Sequence, residues 1–191
     1  MVEVARSECL LGGQRSGKSR RAETLAQQWL EASPDHRAVM IATGQPWDEE
    51  MRSRIARHQA DRAERIPGMR TVEEPLALAE AVQRLAAPDT LVVVDCLTLW
   101  LTNLLMPLEA AQARDDAAVL AQGEALCRAV AQATGPVVLV SNEIGLGVIP
   151  MGREVRAYVD ALGRLNQSVA AACERVTLMV AGLPLRLKDS V

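Results

Sequence analysis

A glycine-rich segment near the amino terminus has the residue types that bind phosphate. Gly12-Gly13-Gln14-Arg15-Ser16-Gly17-Lys18-Ser19 matches the pattern GxxxxGK[ST], directly after an apolar run and directly before a helical pattern. Glycines let successive backbone N–H groups turn toward a phosphate, and the following helix N-terminus adds its dipole. We expect Lys18 to contact the β- and γ-phosphates of a nucleoside triphosphate and Ser19 to ligate Mg²⁺. A glycine-rich turn without a ligand is the structural alternative.

A carboxylate ends another apolar run. The segment Leu91-Val92-Val93-Val94-Asp95 is typical of a buried strand that finishes in an acid. A nucleotide site built on a phosphate loop needs a second carboxylate to hold the magnesium ion or its waters. We therefore predict that Asp95 and Ser19 together hold the metal, with an ordinary strand end as the alternative for Asp95.

The chain has two histidines, and one of them lies in a pattern suited to nucleophilic chemistry. Helical i, i+4 spacing aligns Arg54, His58 and Arg62 on one face, with Asp61 beside them. Two guanidinium groups attract a polyphosphate and disfavour the imidazolium, which leaves a neutral nitrogen free to attack phosphorus. From spacing alone, a solvated charged helix face is the alternative. His36 lies in a turn-like Ser-Pro-Asp-His segment, where a solvated loop residue is expected.

The elements that must position these residues alternate along the 191-residue chain. Short aliphatic runs followed by helical patterns predict an α/β fold with a mostly parallel sheet flanked by helices. Strands are expected at Glu8–Leu11, Ala38–Ala42, Leu91–Val94, Val137–Val140 and Val176–Val180, with a weak one at Arg70–Val72; helices at Lys18–Ala32, Asp48–Arg65, Leu76–Ala87, Glu109–Ala133 and Arg153–Cys173. The length predicts a single nucleotide-binding domain over residues 1–191.

Composition excludes several classes of protein. The 21 basic and 24 acidic side chains, with only three Trp, one Tyr and no Phe, disfavour a nucleic-acid partner. The four cysteines form no CxxC pair, so we expect reduced thiols in a cytoplasmic protein and neither zinc nor disulfides. The apolar stretch Leu91–Leu108 contains Asp95, Asn103 and Pro107, so we expect no membrane span.

Taken together, the motifs resemble the bifunctional adenosylcobinamide kinase/adenosylcobinamide-phosphate guanylyltransferase family. The similarity runs nearly end to end and keeps its order, which makes it far more specific than the phosphate loop alone. The segments that carry it are Gly12 to Arg20, Ile41-Ala42-Thr43, Glu50-Met51 with Arg54-Ile55 and His58, Thr71-Val72-Glu73, Thr102 to Leu105, Ser141 to Pro150, Gly163 to Gln167 and Val180 to Pro184.

This resemblance implies two activities in cobalamin biosynthesis. The first phosphorylates adenosylcobinamide with ATP or GTP, and the second transfers GMP from GTP to adenosylcobinamide phosphate, giving adenosylcobinamide-GDP and pyrophosphate. In the family, the second reaction passes through a guanylylated histidine, and His58 occupies the matching position. The resemblance also implies a P-loop, RecA-like sheet and a homo-oligomer, typically a trimer.

The family's nucleotide contacts carry over to residues on several segments. They are the phosphate loop, Ala42 and Thr43, the four residues after the histidine (Gln59, Ala60, Asp61 and Arg62), and the acids Glu73 and Asp95. A carboxylate suits a guanine edge because it accepts two hydrogen bonds, and arginine suits the triphosphate. The loop after the strand Val137–Val140, with Asn142, Glu143 and two glycines, is expected to contact the corrinoid or to be a plain connection.

Two other functions fit parts of the sequence. A small-molecule P-loop kinase without nucleotidyl transfer would leave His58 as a surface residue. A GTP-dependent switch or metallochaperone would usually read guanine through an NKxD-type element, which this chain lacks because its only lysines are Lys18 and Lys188. A DNA-dependent RecA-like motor is disfavoured by the acidic balance.

Overall fold

A seven-stranded sheet in the order β3-β2-β4-β5-β1-β6-β7 organises the molecule. The computed structural model describes residues 4–107, 109 and 112–190, and the side chains of these except Arg54 and His58. The strands are β1 Ser7–Gly12, β2 Arg37–Ala42, β3 Met69–Glu73, β4 Thr90–Asp95, β5 Val137–Val140, β6 Arg175–Val180 and β7 Leu183–Asp189. Neighbours are parallel except β6 and β7, which are antiparallel. This confirms the predicted α/β class.

Helices connect the strands. They are α1 Lys18–Ala32, α2 Glu49–Arg65, α3 Leu78–Leu85, α4 Leu97–Leu105, α5 Asp116–Gln132 and α6 Arg153–Ala172. Two begin at aspartate caps, where Asp48 accepts from Met51 N at 2.7 Å and Asp115 accepts from Ala118 N at 2.8 Å. The Asp115 cap sets the start of α5 later than the predicted Glu109. Residues 108, 110 and 111 lie outside the described residues.

The central strands are apolar because helices cover both faces of the sheet. On one face, Leu10, Met40 and Val93 pack with α1 residues such as Leu25. On the other face, strand residues including Val92, Val94 and Leu139 pack with α3, α4, α5 and α6. Both layers therefore fix the carboxyl ends of β1, β4 and β5 relative to one another.

The strand β7 is an addition to the predicted elements. The chain reverses after β6 through Ala181 and Gly182, which have φ values of 52° and 81°. Lys188 Nζ on β7 donates to three carbonyl oxygens at the end of α6, those of Ala170, Ala171 and Cys173. Among the described residues, no helix is long and apolar enough to cross a membrane.

Candidate active site

Most predicted site residues lie at one edge of the sheet. In the strand register, Ala42 on β2 is paired with Glu73 on one side and with Asp95 on the other. The strand pairing continues across the sheet, since Asp95 on β4 pairs with Val140 on β5 and Val140 pairs with Leu10 on β1. Leu10 lies two residues before the start of the phosphate loop. Carboxyl ends of parallel strands are the edge where open α/β sheets bind ligands.

The phosphate loop connects β1 to α1 through unusual backbone conformations. Gly12, Arg15 and Gly17 have φ values of 150°, 57° and 102°. A Cβ at Gly12 would lie 2.5 Å from Met179 O, and a Cβ at Gly17 would lie 3.2 Å from Gly182 Cα. The two glycines are therefore required for conformation and for the close approach of β6 to Gly12 and of the β6–β7 turn to Gly17. Gly182 N in that turn donates to Ser16 O at 3.0 Å.

Lys18 lies at the start of α1 with its ammonium group turned back over the loop. Its Nζ donates to Gly12 O at 2.8 Å and to Gly13 O at 2.7 Å, with Ser16 Oγ at 3.5 Å. Burial lowers the pKa of Lys18, and the nearby Cys96 and Asp95 oppose that shift. Loop carbonyls and phosphate oxygens both accept from an ammonium group, and the charged phosphate oxygens do so more strongly, so this position is suited to exchange the first for the second.

Asp95 and Ser19 flank Lys18 and fit a magnesium site by their chemistry. Asp95 ends β4 and is close enough to Lys18 to raise its pKa electrostatically, and Ser19 follows Lys18 on α1. Among the described residues there is no group of three or more His, Cys, Asp or Glu side chains that would hold a metal alone. One carboxylate and one hydroxyl match the way Mg²⁺ binds, since it also takes phosphate oxygens and waters.

A hydrogen-bonded clamp joins the ends of β2 and β4. Thr43 Oγ1 accepts from Cys96 N at 2.9 Å and donates to Cys96 O at 2.7 Å. Asn103 on α4 is buried, and its Nδ2 donates to Thr43 O at 2.7 Å and to Pro75 O at 2.9 Å. Sequence reasoning assigned no role to Asn103, although a lone amide in the apolar helix Leu97–Leu105 was a signal for it.

A second group of predicted residues lies at the β2–β3 end of the sheet. Gln59 Nε2 on α2 donates to Glu73 Oε1 at 3.1 Å. Arg62 Nη1 donates to Thr71 Oγ1 at 3.2 Å, and its buried Nε has no partner among the described residues. The structure thus brings α2 and β3 together through polar side chains. Asp61 pairs instead with Arg65 at 3.6 Å, and Ala60 is exposed.

The predicted nucleophile belongs to α2. The His58 backbone lies in this helix, between β2 and β3 in the chain, while its side chain and that of Arg54 lie outside what the structure describes. The strand order places β2 three positions from β1, a separation of about 14 Å for strands roughly 4.8 Å apart. The structure therefore places Lys18 near Asp95 and Gln59 of α2 on Glu73, while Arg65 of α2 also pairs with Glu23 of α1 at 3.1 Å.

The segment after β5 joins the phosphate loop from the other side. Glu143 N donates to Gly12 O at 3.0 Å. Asn142 N donates to Thr98 Oγ1 at 2.9 Å, and Asn142 O accepts from Asn166 Nδ2 at 3.0 Å. The predicted corrinoid loop thus begins directly beside Lys18.

Comparison with known proteins agrees with this geometry. Residues 9–187 match the family described as cobinamide kinase/cobinamide phosphate guanyltransferase. The bifunctional adenosylcobalamin biosynthesis protein CobP of Pseudomonas aeruginosa is 48% identical over 181 residues, covering 95% of this chain and 96% of that protein. The CobU protein of Escherichia coli, which carries the same description, is 36% identical over 184 residues, covering 93% of this chain and 97% of that protein.

Solved structures show the same fold at low sequence identity. The flagellar accessory protein FlaH of Methanocaldococcus jannaschii has a TM-score of 0.53 and 10% identity, and the match covers 97% of this chain and 79% of that one. A second solved structure, an ATPase domain, also has a TM-score of 0.53, with 12% identity, covering 91% of this chain and 69% of that one. These likenesses support the P-loop fold.

Proposed function

The chain belongs to the cobinamide kinase/cobinamide phosphate guanyltransferase family and is an enzyme of adenosylcobalamin biosynthesis with both activities, and we propose how its residues divide the two reactions. The phosphate loop binds the triphosphate in both reactions and supplies Lys18 for phosphoryl transfer to adenosylcobinamide. The α2–β3 end of the sheet supplies the nucleophile and the guanine contacts for guanylyl transfer from GTP to adenosylcobinamide phosphate. The observation that carries this division is the strand order, which places β2, the strand before α2, three positions from β1, the strand before the phosphate loop. Asp95 lies between them on β4, next to Ala42.

In the kinase reaction, the acceptor hydroxyl attacks the γ-phosphorus of ATP or GTP. The new O–P bond forms as the bond between the γ-phosphorus and the β–γ bridging oxygen breaks, so the nucleoside diphosphate leaves and the hydroxyl proton is released. Lys18 exchanges its contacts with Gly12 O and Gly13 O for phosphate oxygens and stabilises their growing charge. Ser19 and Asp95 would hold Mg²⁺, which when bound supplies further charge neutralisation.

In the guanylyl reaction, a neutral His58 nitrogen attacks the α-phosphorus of GTP. An N–P bond forms, the bond to the bridging oxygen breaks and pyrophosphate leaves. A phosphate oxygen of adenosylcobinamide phosphate then attacks the same phosphorus and displaces His58, which is regenerated. Glu73 suits the guanine edge, and its hydrogen bond with Gln59 links that contact to α2. Arg62, Thr43 and Ala42 complete the nucleotide contacts that we propose at this end.

Removing the nucleophile tests this division. We expect His58→Ala to lose formation of adenosylcobinamide-GDP while it keeps adenosylcobinamide phosphorylation, because the phosphate loop is unchanged. His36→Ala is the matched control, since it removes the other histidine, which stacks on Trp29. Chromatography of the corrinoid products separates the outcomes. If His58→Ala forms both products as well as the wild type does, His58 is not the nucleophile, and only the role of the phosphate loop in the kinase reaction stands.

We also propose a homo-oligomer, a trimer by the family resemblance, located in the cytoplasm and without a nucleic-acid partner. Large exposed apolar side chains in the two segments that contact the phosphate loop support the oligomer, because exposed apolar surface often marks a protein–protein contact. Leu146, Val148 and Met151 in the loop after β5 are 83%, 96% and 94% exposed, and Leu183 on β7 is 71% exposed. The acidic balance of 24 to 21 charged side chains supports the absence of nucleic acid.

A further inference from the structure

Asn142 occupies a special position in the strand order. It is the second residue after β5 Val137–Val140, and β5 lies between β4 and β1 in the sheet. The strand β4 ends in Asp95, and β1 leads into the phosphate loop. Because the three strands are parallel, their carboxyl ends lie side by side, and Asn142 follows the middle one. It therefore emerges between the carboxylate and the lysine of the phosphate site.

The backbone of Asn142 is fixed from two sides. Its N–H donates to Thr98 Oγ1 at 2.9 Å, and its carbonyl accepts from Asn166 Nδ2 at 3.0 Å. Asn166 is buried, and its Oδ1 in turn accepts from Ser141 Oγ at 2.7 Å. Thr98, which accepts from the Asn142 N–H, is itself joined to α6, because Tyr158 OH donates to Thr98 O at 2.9 Å. The position of residue 142 is thus set by α4 and α6 and does not depend on the exposed loop that follows.

The next peptide group is held close to Lys18. Gly12 O accepts from both Glu143 N, at 3.0 Å, and Lys18 Nζ, at 2.8 Å. The two donors share one oxygen, so they lie within two hydrogen-bond lengths of each other. A phosphate group that Lys18 contacts is consequently within reach of a side chain on residue 142 or 143.

The carboxamide of Asn142 is the group left for such a contact. Glu143 Oε1 already accepts from Gly145 N at 2.7 Å, whereas the Asn142 side chain has no hydrogen-bond partner among the described residues. Its NH₂ group offers two donors, which suit phosphate oxygens. Resting on the nucleotide site proposed above, we infer that Asn142 donates to the γ-phosphate of a nucleoside triphosphate, so it distinguishes triphosphate from diphosphate in the kinase reaction.

Replacement by the isosteric acid tests the inference. Asn142→Asp keeps the shape and the backbone contacts but places negative charge at the γ-phosphate. We expect the ratio of affinities for β,γ-imido-GTP and GDP, measured by calorimetry with Mg²⁺, to fall at least tenfold, with GDP affinity changed much less. Asn142→Ala removes the donors alone and should lower the same ratio about threefold to tenfold. Gln132→Glu adds the same charge at the exposed end of α5, at the opposite edge of the sheet, and should leave the ratio unchanged.

An unchanged ratio in both Asn142 variants would overturn the inference, whether or not overall affinity falls, because a purely structural residue weakens both ligands together. The GDP arm separates this failure from failure of the proposed nucleotide site. If the wild-type protein binds neither ligand, both the proposed nucleotide site and the Asn142 contact are wrong. If the wild-type protein binds both ligands and Asn142→Asp leaves the ratio of their affinities unchanged, only the Asn142 contact is wrong.

Discussion

Lys18 combines two properties that are usually opposed in one side chain. It is buried, which lowers its pKa, and the role that we propose for it requires its charge at the γ-phosphate. The carbonyl oxygens of Gly12 and Gly13 accept hydrogen bonds from the ammonium group when no phosphate does. The loop therefore keeps a charged donor ready at the phosphate position without leaving it unpaired.

Lys18 is expected to be essential for both reactions. We expect Lys18→Ala to lower kcat/KM of adenosylcobinamide phosphorylation by at least about 10²-fold, as removal of a single charge-stabilising donor commonly does. Guanylyl transfer should be lost as well, because the GTP triphosphate loses the same contact. Lys188→Ala is the matched control, since it removes the chain's other lysine, which caps α6.

Lys188→Ala should lower the melting temperature and keep the kinase kcat/KM near that of the wild type. Kinase kcat/KM retained by Lys18→Ala, or lost equally by both variants, would contradict the assigned role of Lys18.

The buried thiol of Cys173 is expected to make the stability of the fold depend on pH. Burial raises the pKa of Cys173 to about 12, from an ordinary value of 9.0. A raised pKa means that the folded state keeps a proton which the unfolded state releases, so its stabilising effect is complete below pH 9 and is lost toward pH 12. In urea titrations over that range, the free energy of unfolding of the wild type should fall more steeply than that of Cys173→Ala.

The free energy of unfolding should fall with pH by about 1.4 kcal/mol per pH unit more in the wild type than in Cys173→Ala, which corresponds to the release of one proton. Parallel slopes for the two proteins would show that this thiol is not protected from ionisation. Cys127→Ala is a suitable control, because Cys127 is only half-buried and its pKa is raised less.

At the scale of elements, a buried ion pair joins β1 to β6 and β7. Arg175 lies 4.0 Å from Glu8 Oε2 and 3.2 Å from Asp189 Oδ1, and both Glu8 and Arg175 are buried. We predict that Arg175→Met lowers the free energy of unfolding by about 3–5 kcal/mol, because it leaves the Glu8 carboxylate without its cation. Urea unfolding measures this loss.

The double variant Glu8→Gln/Arg175→Met should recover much of that stability, since it buries no unpaired charge. A double variant as unstable as Arg175→Met would instead show that packing of the arginine, and not charge, joins the strands.

Elements whose pattern is local were predictable from the sequence. The phosphate loop needs its glycines, a preceding apolar strand and a following helix, and all three are contiguous in Glu8–Ala32. Asp95 was predictable for a similar reason, because a fully apolar run marks a central parallel strand and the acid marks its end. The fold class followed from the alternation of such runs with helices.

Elements defined by distant contacts were not predictable in the same way. The strand β7 alternates three leucines with polar residues but contains Pro184 and Lys188, which are depleted in strands, and it forms because β6 offers an unpaired edge. The clamp by Asn103 depends on the approach of Thr43 and Pro75, which are far away in the chain. The separation between α2 and the phosphate loop follows from strand order, which no local pattern encodes.

In the molecule as a whole, exposed apolar side chains belong to the two segments that contact the phosphate loop. One group precedes α6, and the other lies on the β6–β7 hairpin, with Leu183 and Leu185 71% and 56% exposed. We predict that sedimentation equilibrium gives three chain masses. The paired variant Leu183→Glu/Leu185→Glu should shift the protein toward one mass, because two charges cannot be buried in an apolar contact.

A wild-type protein that sediments as a single chain at all concentrations would contradict the oligomer. Leu120→Glu serves as the matched control, because Leu120 is a similarly exposed leucine on α5, away from the hairpin, and this variant should leave the mass unchanged.

Guanylylation of His58 distinguishes the proposed bifunctional enzyme from a kinase that uses the phosphate loop alone. The direct measurement incubates purified protein with Mg²⁺ and GTP labelled at the α-phosphate, followed by denaturing electrophoresis, alongside His58→Ala. We predict a label on the wild type only, labile in acid and stable in base, as a phosphoramidate requires. Wild-type protein that phosphorylates adenosylcobinamide and carries no label, or His58→Ala protein labelled as strongly as the wild type, would contradict the claim.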